Sequence, residues 1–138
     1  MAIQYSLTHR TNAMTQLSTD IGATAVIKIF TGAAPANCGT ADTGTLLATF
    51  AGPATSFTNA PGSVASGLLT TGTVASVTAS NAGTAGYFRI YPAAATTTNA
   101  VVQGTCGLSA ADMILTNTSI TAGQTCNFTS LTVTAFGV

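Results

Sequence analysis

Hydrophobic residues near the start of the chain recur at the spacing of an α-helix. Between Ser6 and Ile21 there is no Gly or Pro, and Gly22 follows directly, as is typical of a helix end. We therefore predict one amphipathic helix over Ser6 to Ile21. Its apolar face can lie on the chain's own sheet or on a neighbouring subunit, and is formed by Leu7, Met14, Leu17 and Ile21.

After Gly22 the pattern changes to short alternating segments. In Ala25 to Phe30, Lys28 alternates with Ile27 and Ile29, which is typical of a half-buried strand. Thr, Val, Ile, Phe and Tyr fill the later segments, and Gly, Asn, Pro and Ser separate them. The other predicted strands are Thr45 to Phe50, Leu68 to Thr70, Val74 to Thr78, Tyr87 to Tyr91, Val101 to Cys106, Met113 to Leu115 and Thr125 to Phe136.

About eight strands separated by turns predict an all-β fold, a single jelly-roll-like β-sandwich with one short N-terminal helix. The chain has 138 residues, the size of one ordinary domain. We expect a helical arm over 1–22 and the sandwich over 23–138. The irregular segment Thr31 to Gly44 is long enough to predict a contact-making loop. We also predict that Pro92 to Asn99 forms a surface hairpin loop.

Charge is the property in which this chain departs most from an ordinary soluble domain. Charged residues make up 4% of the sequence, with three basic and three acidic side chains and a formal net charge of zero, whereas about a quarter is usual. This excludes binding to nucleic acid through phosphate neutralisation. A hydrophobic content of 46% also excludes a disordered chain. Because so few charges protect poorly against association, we expect other subunits to cover much of the surface.

Membrane insertion is not expected, because no apolar run approaches the ~18 residues of a spanning helix. The start of the chain, Met1 to Tyr5, has no basic leader followed by an apolar core. We therefore expect no secretory signal, and synthesis and assembly in a cytoplasm.

Candidate chemistry is sparse. Cys38, Cys106 and Cys126 have no C-x-x-C spacing and are expected to be free thiols in a reducing compartment. The lone histidine, His9, has no nearby ligand partners, so we expect no metal and no cofactor.

The three carboxylates lie far apart in the sequence and are best explained by caps and turns: Asp20, Asp42 and Asp112. No nucleophile motif or phosphate-binding loop is present. We therefore expect a protein that is not an enzyme, with no catalytic residues; a small hydrolase has no residues to support it.

One strand carries a notable group of side chains. Tyr87, Arg89 and Tyr91 share one face of the predicted strand, because alternate residues point the same way. One interpretation is an exposed stripe that binds a partner, since Tyr and Arg are enriched at interface hot spots. The other is that the tyrosines pack on loops while Arg89 binds carbonyl groups or Asp112. The sequence leaves both open.

Several segments resemble the small, neutral structural proteins of tailed bacteriophages, most closely the type that decorates or cements the capsid. GTAGYFRIY over 83–91 and NTSITAGQT over 117–125 are the most distinctive motifs. The resemblance covers most of the chain in the same order, and its segments are Ile27 to Cys38, Gly44 to Leu47, Ala82 to Tyr91 and Asp112 to Gln124.

The resemblance implies a jelly-roll or related β-sandwich of the virion. Its expected role is to bind the outer surface of an icosahedral capsid and to stabilise it by bridging capsomers. Expected partners are the major capsid protein and copies of the chain itself, as a dimer or trimer, with no nucleic acid and no membrane. The expected contacts come from the helix, the Thr31 to Gly44 loop and the C-terminal residues, with candidate interface residues Leu7, Met14, Leu17, Pro35, Asn37, Tyr87, Arg89, Tyr91 and Phe136.

The alternative is a β-sandwich module of a tail, neck or fibre. Such a module would serve tail assembly, or bind a host glycan through Tyr87, Arg89 and Tyr91.

Overall fold

The computed structural model describes residues 4–51, 57–58, 68–71, 74–128 and 131–134. The described elements are α1 (Leu7–Ile21), β1 (Val26–Thr31), β2 (Leu46–Ala51), β3 (Phe57–Thr58), β4 (Leu68–Thr71), β5 (Val77–Thr78), β6 (Gly83–Tyr91), β7 (Val102–Gly107), β8 (Met113–Ile114), β9 (Ser119–Ile120), β10 (Thr125–Cys126) and β11 (Thr132–Thr134). The prediction of an all-β fold with one short N-terminal helix is confirmed.

Helix α1 begins and ends where its capping residues predict. The Ser6 side chain accepts a hydrogen bond from the backbone N–H of His9 at 3.2 Å, which caps the first turn. At the other end, the N–H of Gly22 donates to the Ser18 carbonyl at 2.9 Å, and Gly22 has a φ of 80°. These local contacts explain why the predicted bounds differ from the observed ones by a single residue.

The apolar face of α1 packs on the chain's own core. Met14 and Ile21 are buried in the core cluster, and Leu17 is partly buried against it. The helix lies against β3 and β4. Of the two partners left open by the sequence, the chain itself therefore takes most of this face, and only Leu7, 45% exposed, stays on the surface.

The largest sheet has the order β2-β1-β6-β7-β8, and β9 pairs with the beginning of β6. Strands β2, β1, β6 and β7 are antiparallel neighbours. In the central pair, Ile29 lies opposite Phe88 and Lys28 lies opposite Arg89. Since alternate residues point to opposite faces, these two pairs belong to different faces of the sheet.

One face of this sheet forms the core. Ile27, Ile29 and Phe88 are at most 2% exposed, and Phe50 of β2 meets Phe128 edge to face at 5.0 Å between ring centroids. The same core cluster contains residues of the helix and of the segments around the smaller sheets. It therefore joins α1 and all three sheets through one apolar interior.

Two small sheets complete the described fold, and they correct two predicted strands. β10 pairs with β5, and β11-β4-β3 form a three-stranded sheet. The predicted strand over Thr125 to Phe136 is wrong, because β10 and β11 belong to different sheets. The predicted Val74 to Thr78 strand begins only at Val77. The short strands β3 and β9 were not predicted, because two residues carry too little periodicity to be recognised.

Strands β7 and β8 are parallel neighbours joined by residues 108–112 alone, although parallel strands usually need a dozen or more connecting residues. Thr105 donates to Asp112 Oδ2 from both its backbone N and its Oγ1, each at 2.8 Å. Ala110 takes a φ of 50°, and the N–H of Leu115 donates to the Gly107 carbonyl at 2.8 Å. Asp112 thus closes the turn just before β8 begins.

We expect this carboxylate to make stability sensitive to acid. The hydrogen bonds from Thr105 hold the pKa of Asp112 below its ordinary value of 3.8. Such a group stabilises the fold above its unfolded-state pKa, and the contribution is lost as the pH falls through the folded-state pKa. Asp112→Asn should therefore lower the urea midpoint at pH 7, and its difference from the unchanged protein should shrink below about pH 4.

The control is Asp20→Asn on the helix surface, which removes one negative charge but leaves the β7–β8 turn intact. A gap between Asp112→Asn and the unchanged protein that is equally large at pH 7 and pH 3 would contradict the assignment.

Candidate functional site

The second face of the largest sheet is covered by the loop that joins β1 to β2, residues 32–45. Tyr87, Arg89 and Tyr91 of β6 point to this face and are completely buried. Lys28 and Phe30 lie beside them on β1, with the Lys28 Nζ 4.7 Å from the centre of the Tyr91 ring. A loop without regular structure thus covers the face of the largest sheet that points away from the core.

The Arg89 side chain binds this loop through the loop's backbone carbonyl groups. Its Nη2 donates to the Asn37 carbonyl at 2.8 Å, and its Nη1 donates to the Thr40 carbonyl at 2.8 Å. Nη1 also lies 3.4 Å from the carbonyl of Thr97, which belongs to the loop between β6 and β7. One guanidinium group therefore ties two separate loops to the middle of the sheet.

An ion pair completes the surroundings of Arg89. Its Nη1 lies 2.8 Å from Asp42 Oδ1, and the Asp42 side chain is 12% exposed. Tyr91 donates its hydroxyl hydrogen to the same carboxylate oxygen. Burial, followed by the hydrogen bond to Asp42, raises the pKa of Tyr91 above its usual range. Desolvation opposes the charge on Arg89, but the hydrogen bond that Arg89 donates to Asp42, together with its interaction with Tyr91, outweighs this effect and raises the pKa of Arg89.

Gln103 and Tyr87 extend this network along the loop. The Gln103 Oε1 accepts from Nε and Nη2 of Arg89 at 3.1 and 2.9 Å, while its Nε2 donates to the Pro35 carbonyl at 2.8 Å. The Tyr87 hydroxyl donates to the Thr43 carbonyl at 2.6 Å, and the Tyr87 hydroxyl oxygen accepts from the Thr43 N–H at 3.0 Å. Side chains of the sheet thereby bind loop backbone groups at Pro35, Asn37, Thr40 and Thr43.

Glycine allows the loop to approach the sheet this closely. A Cβ built on Gly86 would lie 2.0 Å from the Gly32 carbonyl oxygen, and one on Gly44 would lie 2.2 Å from the Thr31 carbonyl oxygen. Gly44 also has a φ of 71°, a conformation that residues with a Cβ rarely adopt. The loop can therefore begin close to β6 because Gly86 has no side chain, and it can end close to Thr31 because Gly44 has none.

These contacts decide between the two interpretations of the tyrosine and arginine group. An exposed stripe at Tyr87, Arg89 and Tyr91 is wrong, because all three side chains have no exposed surface in the folded chain. They pack beneath loops, and Arg89 binds carbonyl groups, as the other interpretation states. Its acidic partner is Asp42 and not Asp112. Binding of a glycan by direct contact with these three side chains is excluded by the same burial.

The remaining candidate interface residues are spread over the molecule. Leu7 is exposed, Leu17 is half-buried and Met14 is buried. In the loop, Asn37 is exposed while Pro35 is buried. Phe136 lies outside the described residues. The prediction that Met14 and Pro35 contact another protein directly is therefore wrong as well, because the chain's own packing covers them.

Sequence reasoning missed Asp42 and Gln103 as partners of Arg89. For Asp42 the scarcity of charge was a usable signal, because a buried arginine needs an acidic partner and the chain has only three acidic residues. Gln103 had no signal of this kind, since an amide two residues into a strand is unremarkable until its cross-strand neighbour is known to be Arg89.

Other reactive chemistry is limited. All three cysteines are free thiols in the structure. Burial, followed by the charge on Asp112, raises the pKa of Cys106 to about 12, and burial also raises the pKa of Cys126. Both thiols therefore stay protonated at neutral pH and are poor nucleophiles.

Within the described ranges, no group of three or more His, Cys, Asp or Glu side chains is placed to hold a metal ion. No helix in the same part of the chain has both the length and the apolar character needed to cross a bilayer.

No protein family, curated protein or solved structure matches this chain.

Proposed function

We propose that this protein is a non-enzymatic structural protein of a tailed-bacteriophage virion, which binds the outer capsid surface and stabilises the shell by bridging capsomers. The observation that carries the proposal is how little charge is left for the surface. Of the charged side chains, Arg89 and Asp42 are turned towards each other inside the fold. Outside that pair the chain has only Arg10, Asp20, Lys28 and Asp112.

A neutral surface of this kind favours association over free circulation. A net charge of zero promotes contact between protein molecules, because no long-range repulsion keeps them apart. Uncharged groups also lose less hydration free energy than charged ones when a second subunit covers them. Repeated contacts with a shell and with copies of the chain would use both properties.

We also propose that the fold is a jelly-roll-like β-sandwich. In support, the largest sheet, in which β2, β1, β6 and β7 are antiparallel, shares one core with the segments around the smaller sheets. A cementing role requires a rigid body, and it needs no reactive group.

The proposed mechanism is binding linkage. A protein that binds only the assembled, expanded shell stabilises that state by an amount that grows with concentration and affinity. Modest affinity at one site is sufficient, because bridging two capsomers makes the second contact intramolecular. The protein then raises the temperature at which the shell falls apart without changing the capsid protein.

The direct test uses empty, expanded shells of the phage whose genome encodes this chain. We expect the purified protein to co-sediment with these shells, to appear as ordered density at fixed capsomer positions in icosahedrally averaged cryo-electron microscopy, and to raise their thermal disruption temperature. Unexpanded shells are the control, since a protein specific for the expanded state should bind them poorly.

Bare shells with unchanged heat resistance would contradict the proposal. In that case, labelling of the protein in whole virions would show whether it lies in the tail, neck or fibre instead.

A further inference from the structure

We propose that the open cavity between β7 and β11 binds the side chain of a lysine presented by the capsid subunit, with the Asp112 carboxylate accepting from its ammonium group. This inference rests on the proposed function and adds a contact site and the residue type that the site recognises. The cavity has a volume of about 300 Å³, and Asp112 forms part of its wall.

Most of the cavity wall is apolar. Phe88 and Leu131 are each 2% exposed, while Val102 and Val133 are partly buried against the core. All four line the cavity. An aliphatic chain placed here would exchange water for apolar contacts, and a mainly apolar wall with a few polar groups is typical of a binding cavity.

Asp112 brings a negative charge to this apolar wall. A Cβ built on Gly104 of β7 would lie 2.8 Å from Cε1 of Phe88 and 3.0 Å from the Cβ of Asp112. The Phe88 ring and the Asp112 side chain therefore approach each other over Gly104. A ligand that occupies the cavity would meet a charged and an apolar group side by side.

The Asp112 carboxylate is ionised and has an oxygen available for a ligand. Thr105 donates to Oδ2 from both its backbone N and its Oγ1, which holds the pKa of Asp112 below 3.8. Both bonds leave Oδ1 to accept from a ligand. In the described part of the chain the one ion pair joins Arg89 to Asp42, so the exposed Asp112 has no positive partner there.

The combination of one available oxygen and an apolar wall fits lysine better than arginine. An ammonium group is a compact charge that can bind a single oxygen, whereas a guanidinium group binds best to both oxygens of a carboxylate. Lysine also carries its charge on an aliphatic stem, which can lie along apolar residues while the charged end stays near water.

A second copy of this chain is a poor source of that lysine. Lys28 is the only lysine in the sequence, and its Nζ lies over the Tyr91 ring within the fold. Of the two arginines, Arg89 is fully buried and Arg10 is half-buried with its Nε covered. The occupant is therefore a lysine of a different protein, and the proposed function makes the capsid subunit that protein.

The first test measures the cavity without any shell. The probe is n-hexylammonium, a soluble mimic of a lysine side chain, and hexan-1-ol is its uncharged control. Binding to the full chain is followed through the backbone amide signals of isotope-labelled protein. We expect hexylammonium to shift the signals of Gly104, Asp112 and Val133 saturably, and hexan-1-ol to bind at least about fivefold more weakly. Equal binding of the two compounds, or no saturable shift at these residues, would overturn the inference.

Two cavity variants each have a matched control. Asp112→Asn removes the charge, and Asp20→Asn removes one from the helix surface. Val102→Phe fills the cavity, and Ile114→Phe adds bulk on β8 at a residue that is 52% exposed and outside the cavity wall. Thermal unfolding shows that each variant is folded at the temperature of measurement, and Val133→Phe replaces Val102→Phe if the latter does not fold.

We expect both cavity variants to bind hexylammonium and expanded shells at least about fivefold more weakly than the unchanged protein does, and both controls to bind within about twofold of it. Undiminished binding by Asp112→Asn would overturn the inference, because the carboxylate would then take no part in recognition.

Shells with modified lysines test the source of the ammonium group. Acetylation removes the charge of shell lysines, whereas reductive methylation keeps it. We expect the unchanged protein to co-sediment with methylated shells and to bind acetylated shells at least about fivefold more weakly. Equal binding to both kinds of shell would overturn the inference while the proposed function stands. Binding of hexylammonium without binding to any shell would overturn the proposed function, and with it the capsid subunit as the source of the lysine.

Discussion

Replacing Arg89 with Met is expected to lower the free energy of unfolding by about 3–5 kcal/mol, the usual range when one partner of a buried ion pair is removed. The loss has two parts. The Asp42 carboxylate stays largely buried without its positive partner, and the Asn37 and Thr40 carbonyls lose their donors. A buried polar group that loses its partner retains its full desolvation penalty. Urea unfolding followed by circular dichroism measures the change.

Two further variants separate these parts. Arg89→Lys keeps the positive charge but has one ammonium group in place of the planar fork that reaches Gln103, Asn37 and Thr40 together. We expect it to recover less than half of the loss. In a double-mutant cycle with Asp42→Asn, the two single losses should exceed the loss of the double variant, because they break one shared interaction. A loss below about 1 kcal/mol for Arg89→Met would contradict the central role of this residue.

Changing Gly86 to Ala should be similarly disruptive, although it adds only one methyl group. The new Cβ would stand 2.0 Å from the Gly32 carbonyl oxygen and 2.9 Å from two more backbone atoms of Gly32. Backbone cannot rotate away as a side chain can, so the loop must lift from β6. We expect a loss of about 3 kcal/mol or more in the free energy of unfolding, at the upper end for overpacking.

The matched control is Gly39→Ala in the same loop. Its Cβ would meet only the Asn37 side chain, at an ordinary 3.4 Å, so the change in stability should stay within about 0.5 kcal/mol. Limited proteolysis of the folded variants should show faster cleavage within 32–45 for Gly86→Ala alone. Equal stability of the two variants would show that the loop does not need its close approach to the sheet.

The two predictions concern one physical arrangement. A sheet with two buried faces needs a covering layer on each, and here a loop covers the face opposite the core, with its backbone carbonyls bound by Arg89, Gln103 and Tyr87. Buried ion pairs contribute little net stability compared with apolar packing, but they specify one arrangement in some proteins.

Local patterns in the sequence were sufficient for several elements. Ser6 and Gly22 cap α1 through contacts within one turn, so the helix could be predicted to within a residue. The alternation of Lys28 with its isoleucine neighbours identified β1, and the aromatic run from Tyr87 identified most of β6. Each of these signals depends on residues close together in the chain, which is why the sequence alone reveals them.

Local patterns could not predict what covers the strand face formed by Tyr87, Arg89 and Tyr91. Strand periodicity establishes that the three side chains share a face, but both faces of a strand obey the same period. These side chains are covered by a loop that contains Asp42, which lies 47 positions from Arg89 along the chain. The choice of Asp42 over Asp112 follows from the path of that loop, and so does burial of the whole group.

By itself, the sequence determined the all-β class, the single helix, the strands with clear alternation and the scarcity of charge. Only the tertiary structure decided that β10 and β11 belong to different sheets, that β8 runs parallel to β7, and that Arg89 is an internal anchor for the loops. The physical reason is that propensity and periodicity act over a few residues, whereas strand pairing, burial and ion pairing depend on segments brought together by folding.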